Sequence, residues 1–463
     1  MNPLRAQIES LATLQPVRVT GSVAALRGLT LLVDDLPMPV GSTVEVLCAQ
    51  RIKLGEIVGF DRDKAIVMLL DQTSGVRPGD RVVGGHASGV VPVGRRMLGR
   101  VVDALGRPID GGPPIAETIG APLSPSPLSP LRRRTINERI DTGVRAVDLM
   151  TSVGKGQRMG VFAGPGVGKS TLLGTIAKRT SADVSVIALI GERGREVRDF
   201  VEGSLGPEGL ARSVVVVATS DESPLLRIRA AMAASSIAEF FRDQGADVML
   251  MMDSITRFAQ AQRQVGLSVG EPPATKGYTP SVFSMLPLLL ERAGVVEGAG
   301  SITAFYAILV EGDDMTEPIA DAARGILDGH VILSRKLAQQ GHYPAIDVLD
   351  SISRVAAEVC DKQHLAARVQ LLRLLAAYRD VEELVQIGAY AQGSDPVADV
   401  AIVLKERIDD LLRQGGADVE PFDDARKRML SLAVEAGSMM HNGAQNRQRR
   451  QQAAAQPAAG GRA

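Results

Sequence analysis

An α/β fold, built on a mostly parallel sheet with a small β-barrel before it and a helical domain after it, is the architecture the sequence predicts. Three observations carry that expectation. Short β-rich runs punctuated by Gly and Asp crowd residues 17–86, with no helix-length periodic segment between them; this is the pattern of a small closed barrel or sandwich. Past Gly143, continuous apolar runs alternate with helix-length segments, which implies strands covered on both faces. Within that alternation a Gly-rich turn at 163–171 leaves an apolar strand and opens an amphipathic helix, the setting of a phosphate-binding loop.

Composition bounds the reading. At roughly 150 residues per domain, the 463 residues suggest about three domains. With 45% hydrophobic and 23% charged residues, the chain is too apolar for wholesale disorder. Lys plus Arg (52) against Asp plus Glu (53) gives a net charge of −1, which excludes a generally basic nucleic-acid binder. Cys48 and Cys360 fit no metal spacing and exclude a disulfide framework, so a reduced, cytoplasmic compartment is expected. Met1 to Arg5 lacks the apolar core of a signal peptide, and no apolar run approaches the ~18 residues of a membrane span.

The elements follow in order. Leu4, Ile8, Leu11 and Leu14 predict an amphipathic helix over 1–16, its stripe packed on its own chain or turned to a partner or membrane surface. A β-barrel domain is expected over 17–90, with strands near 17–23, 29–33, 43–48, 56–60, 65–70 and 81–83. Gly and Pro then dominate 91–135, ending in the proline-rich run Pro122 to Pro130, which predicts an extended linker. The P-loop domain is expected over 136–354, with strands near 160–163, 184–190, 214–218, 248–252, 302–310 and 331–333. Helical periodicity over 371–378, 381–387, 396–412 and 423–434 predicts a helical domain at 355–440. The Gln/Ala/Arg/Gly-rich remainder, 441–463, is expected to be a disordered tail.

Three motifs carry chemistry. In the turn Gly164, Pro165, Gly166, Val167 and Gly168, the backbone N–H groups of every residue but Pro165, with the helix start at Lys169, Ser170 and Thr171, form a cradle for phosphate oxygens. Lys169 would reach the β- and γ-phosphates, and the Ser170 hydroxyl would ligate Mg²⁺. Ala163 stands at the usual first glycine of the motif, where a small residue with negative φ suffices. Asp253 ends the apolar run 248–252, where an acid in such a sheet sits at the ligand-binding edge and holds the Mg²⁺ shell. Glu192 follows the run 184–190, within a dense charge cluster that includes Glu196, and is placed to orient or activate the attacking water.

With these motifs stand longer ones: 252–258 (MDSITRF), 270–278 (GEPPATKGY), 311–318 (EGDDMTEP), 327–330 (LDGH) and 342–354 (HYPAIDVLDSISR). Over about residues 17–435 the chain resembles the flagellar type III export ATPases of the rotary ATPase catalytic-subunit superfamily, with Pro224 to Arg229 and Ala274 to Gly277 leaning flagellar. The resemblance implies a RecA/F1-like core, ATP as substrate with Mg²⁺, and a homo-oligomeric, hexameric ring. It makes Glu192 the catalytic carboxylate, with Arg193 and Arg257 near the γ-phosphate. It places Tyr343 on the adenine, where the residue pattern alone reads equally as core. It makes Arg354 the arginine finger lent by the neighbouring subunit.

The implied partners are an export regulator or stator protein, export-gate membrane proteins, and export chaperones with their cargo, at the cytoplasmic face of the inner membrane. Close alternatives are an injectisome secretion ATPase or a rotary ATP synthase catalytic subunit. An RNA or single-strand DNA translocase is disfavoured, because Phe60 is the single aromatic ahead of Phe162 and leaves no base-stacking platform. A non-catalytic nucleotide-binding subunit is disfavoured by the presence of both Glu192 and Arg354.

Overall fold

The computed structural model describes residues 18–87, 89–310, 312 and 314–455, so the helix expected over 1–16 lies outside the described residues. Six strands, β1 (Thr20–Arg27), β2 (Thr30–Asp34), β3 (Ser42–Leu47), β4 (Ile52–Asp61), β5 (Lys64–Leu69) and β6 (Arg81–Ala87), close into a barrel in the order β1-β2-β5-β4-β3-β6. Side chains alternate across β3, where Ser42, Val44 and Val46 are buried while Thr43, Glu45 and Leu47 are not. The inward set, with Val23, Leu31, Val33, Ile57, Val67 and Val82, forms a core separate from the rest of the molecule.

The stretch 91–135 corrects the expectation of a linker. It holds β7 (Val90–Val93), β8 (Arg100–Asp103) and β9 (Ile119–Pro122). β7 and β9 form an antiparallel ribbon, and β8 joins the main sheet in parallel beside a later strand, Val102 opposite Val216. Gly and Pro mark the turns between these short strands, and the irregular chain is confined chiefly to 111–118 and 123–129. Proline is tolerated in β9 because the ribbon has two strands and therefore free edges.

A two-stranded ribbon of β10 (Arg139–Ile140) and β11 (Val153–Gly154) leads into the central sheet. Its strands are β12 (Arg158–Ala163), β13 (Val184–Glu192), β14 (Ser213–Thr219), β15 (Asp247–Asp253), β16 (Gly294–Val295), β17 (Ser301–Leu309), β18 (Gly329–Leu333) and β19 (Ile346–Ser353). The order is β19-β18-β12-β17-β15-β13-β14-β8, with β16 attached to β17. β19 pairs antiparallel to β18, β16 antiparallel to β17, and every other pairing is parallel.

The inner strands are apolar along most of their length because both faces are covered. In β13, Val186, Ala188 and Ile190 pack toward the helix Pro224–Asp243, whose Ala230, Ala231, Ala233, Ala234 and Ala238 let it approach the sheet closely. Ile187 and Leu189 face the other way, toward the helix Lys169–Arg179. Leu371, Leu374, Leu404, Ile408 and Met429, from the helices Lys362–Gln386, Pro396–Leu412 and Phe422–Ala455, belong to that second cluster. The C-terminal bundle therefore shares the core of the layer that carries the phosphate loop.

The last helix runs to Ala455, which corrects the disordered tail over 441–455; 456–463 lies outside the described residues. Residues 444–455 are chiefly Ala, Gln and Arg, strong helix formers, with neither Gly nor Pro. Among the described residues no helix is long and apolar enough to cross a membrane.

Candidate active site

β12 ends at Ala163, paired with Leu309 and Leu333, so this position is extended and a small L-residue serves in place of glycine. The chain then turns through 164–168 into the helix Lys169–Arg179. Gly168 caps that helix at φ 94°, a left-handed conformation that glycine adopts without strain. First-turn N–H groups of a helix have no intrahelical acceptor, so loop and helix start together offer donors and a positive dipole end to an anion. Pro165, Gly166, Ser170 and Thr171 are exposed at this mouth, while buried Val167 anchors the loop in the apolar layer below.

Because β12, β15 and β13 run parallel, their carboxyl ends share one edge of the sheet. Lys169 Nζ reaches Asp253 at the end of β15, donating to Oδ1, and lies 4.0 Å from Glu192 Oε1 at the end of β13. Both acids are largely buried, with side chains 4% and 17% exposed. Burial, with the nearby Asp253 carboxylate, raises the Glu192 pKa to about 7 against the pull of Lys169. Glu196 shares a hydrogen bond with Glu192, and that bond lowers the Glu196 pKa.

One ammonium thus faces two carboxylates. That excess negative charge, with the Ser170 hydroxyl at the loop mouth, suits a hard divalent cation that takes oxygen ligands, so the residues present fit Mg²⁺.

Arg257 sits in the first turn of the helix Ile255–Ser268, capped by Ser254. Its side chain packs against Gly191, where a Cβ would meet Arg257 Cβ at 3.0 Å. Its Nη1 donates to Gln260 Oε1 (3.2 Å), and its buried Nε has no hydrogen-bond partner among the described residues. Arg193 is 81% exposed and pairs with Glu196 at 3.3 Å.

Tyr343 is half exposed and lies beside Gly168, so of the two readings open at the sequence level the buried-core one is excluded. With Val167, Thr171, Leu333 and Pro344 it lines a solvent-open cleft of about 700 Å³ directly behind the phosphate loop. Sequence reasoning missed the far wall, Gln414, Gly415 and Gly416, in the segment between the helices Pro396–Leu412 and Phe422–Ala455. Gln414 N donates to Tyr343 O (2.8 Å), its Nε2 donates to Gly143 O (3.1 Å), and buried Arg145 holds Glu420 at 2.8 Å. A Gly-Gly pair after a helix signals a turn and nothing about a ligand, so nothing in the chain marked it.

Arg354 is the site residue the structure sets apart. Ser353 pairs with Gly329, and Gly329 pairs with Met159, so Arg354 lies level with the start of β12. Met159 and Gly164 are five positions apart, roughly 16 Å along a strand and beyond an arginine's reach. The guanidinium is exposed at the opposite edge of the sheet from its own phosphate loop.

Comparison with known proteins bears on this geometry. The nucleotide-binding domain model of the ATP synthase alpha/beta family matches residues 143–353, that family's β-barrel domain matches 38–84, and the C-terminal domain of the type III secretion EscN ATPases matches 360–431. The chain is 50% identical over 429 residues to the flagellum-specific ATP synthase of Salmonella typhimurium, covering 90% of this chain and 94% of that one. It is 49% identical over 430 residues to a type 3 secretion system ATPase of Xanthomonas euvesicatoria, covering 92% and 97%. Among solved structures, the assembled ATPase EscN of enteropathogenic E. coli superimposes with a TM-score of 0.85 at 41% identity, over 89% of this chain and 100% of that one. A second structure, EscN with its central stalk EscO, gives 0.83 at 40% identity over the same shares.

Proposed function

The chain belongs to the ATP synthase alpha/beta family, in the branch of the flagellum-specific ATP synthases and type III secretion ATPases, and from that premise we propose that it is the ATPase of flagellar protein export. It hydrolyses ATP in a homo-oligomeric ring and spends that energy on releasing chaperones and unfolding cargo for export. The observation that carries this reading is the split site: Lys169, Asp253 and Glu192 converge at one edge of the sheet while Arg354 is presented at the other. A protomer so built has a catalytic half and a donating half, which only a ring brings together.

The mechanism follows from placement. Main-chain amides of 164–171 hold the phosphates, and the Lys169 ammonium moves from Asp253 toward the β/γ oxygens as they arrive. Ser170 and Asp253 would hold Mg²⁺, directly and through water, and the ion would supply positive charge to neutralise the phosphates. Glu192, relieved of part of its burial penalty once cationic charge enters the site, ionises and orients the attacking water. Arg257, with a buried Nε awaiting an acceptor, takes a γ-phosphate oxygen; Arg193 lies at the rim of the same site. Tyr343 stacks on adenine in the cleft behind Gly168. Arg354 of the neighbouring protomer stabilises charge on the transferring phosphoryl group.

The assembled state of EscN and its complex with a stalk protein support a ring, here hexameric, that engages a stalk or regulator protein. The other partners proposed are the export gate, chaperones and cargo, met at the cytoplasmic face of the inner membrane. The identity to the Xanthomonas type 3 secretion system ATPase supports a second reading, in which the same chemistry serves an injectisome. Complementation separates them: in a deletion strain of the source organism, this chain restores swimming, whereas restored effector secretion without motility favours the second.

A further inference from the structure

We propose that Gln157, with the Arg158–Asp328 ion pair, is a positioning unit for Arg354, fixing the main chain from which that arginine reaches the neighbouring protomer. This rests on the reading that Arg354 acts across a ring interface. Arg354 has a guanidinium with no ion-pair or hydrogen-bond partner among the described residues, yet its backbone is held: its N–H donates to Asp328 O (3.0 Å). Gln157 is fully buried, and its Nε2 donates both to that same carbonyl (3.2 Å) and to Ser353 Oγ (3.1 Å), bridging the two residues that flank the root of the finger.

Asp328 is itself clamped. Arg158 donates from Nε to Oδ2 and from Nη2 to Oδ1, each at 2.9 Å, a two-pronged pairing that fixes orientation as well as distance. Gly329 closes the register, for a Cβ there would stand 2.5 Å from Ile352 O and 3.1 Å from Ser353 Cα. A rigid root and an unpartnered head are what a lent cation needs, since a flexible root would cost ordering entropy at each encounter. A fully buried amide between polar strand ends has its own structural role as well, so the test must separate position from folding.

Mixed rings do so. A donor chain carrying Glu192→Gln has an intact finger and a dead site; an acceptor carrying Arg354→Ala has an intact site and no finger. Mixing the two is expected to recover ATPase activity that neither has alone. Adding Gln157→Met to the donor should cut the recovered rate roughly tenfold, within the range that misplacing a catalytic group by an ångström produces, while adding it to the acceptor should leave the rate within about twofold. Ser353→Ala, which removes only one acceptor, should show the same asymmetry at smaller size and serves if the Gln157 variant does not assemble. Equal losses in both placements, or none in either, overturn the positioning role. No recovery from the unmodified mixture instead overturns the trans-acting finger, and the proposal with it.

Discussion

Lys169 donates to the buried Asp253 carboxylate while standing 4.0 Å from Glu192, so a single cation is shared between the strand ends of β15 and β13. This sharing sets the resting electrostatics of the site, and its consequences can be measured.

The first concerns pH. Burial and the Asp253 charge raise the Glu192 pKa to about 7, so the proton is retained to higher pH than on an ordinary glutamate. If ionised Glu192 orients water, kcat/KM must fall as pH drops through 7, because the protonated form is inactive. A profile flat from pH 5.5 to 8 would remove Glu192 from that role.

Lys169→Met takes away the cation that stands against two largely buried acids. Unfolding in denaturant should show a loss of about 3 kcal/mol, the scale of breaking a buried ion pair from one side. ATP binding measured by calorimetry should be lost as well; retained binding would contradict the phosphate role.

Arg354 cannot reach its own phosphate loop, so Arg354→Ala should leave nucleotide affinity within about threefold and lower kcat by about 10³. Wild-type specific activity should also climb steeply with protein concentration. Activity independent of concentration across the assembly range would contradict a shared site.

Tyr343 is exposed beside Gly168, in the cleft and away from the reacting phosphate. Tyr343→Ala is expected to raise the KM for ATP about tenfold at nearly constant kcat, whereas Tyr343→Phe keeps the ring face and should stay near wild type. Steady-state kinetics in which Phe is as poor as Ala would point to the hydroxyl instead of stacking.

Arg145, itself buried, donates to Leu411 O (3.1 Å) and Glu420 (2.8 Å), pinning the segment that carries Gly415 and Gly416 over the cleft. Arg145→Leu removes the donor to Leu411 O and to Glu420, which keeps its pairing with Arg428, and so frees that wall; it should lower stability by about 1–3 kcal/mol in thermal or chemical unfolding. It should also weaken ATP binding. Loss of stability with unchanged affinity would show that the wall does not shape the cleft.

The phosphate loop, the strand-end acids and the apolar runs were legible in the chain because each rests on local rules. A glycine at positive φ before a helix, an acid ending a buried strand and alternation on a pleated ribbon are properties of neighbouring residues. Strands expected near 184–190 and 248–252 are β13 and β15, and the residues that follow those spans, Glu192 and Asp253, both approach Lys169.

What local rules could not supply was anything fixed by pairing across long separations. Arg100–Asp103 reads as part of a Gly/Pro linker until β14, over a hundred residues later, offers it an edge. Gln414 and Gly415 become the wall of the cleft beside Tyr343 only because the helical bundle shares its core with the layer beneath the loop. Arg354 is one arginine among many by sequence, and its place opposite its own phosphate loop follows from β19 running antiparallel to β18. Chain order dictates which groups exist and how their backbones prefer to bend; the direction in which an edge strand pairs, an energy summed over distant partners, dictates which of them can share a site.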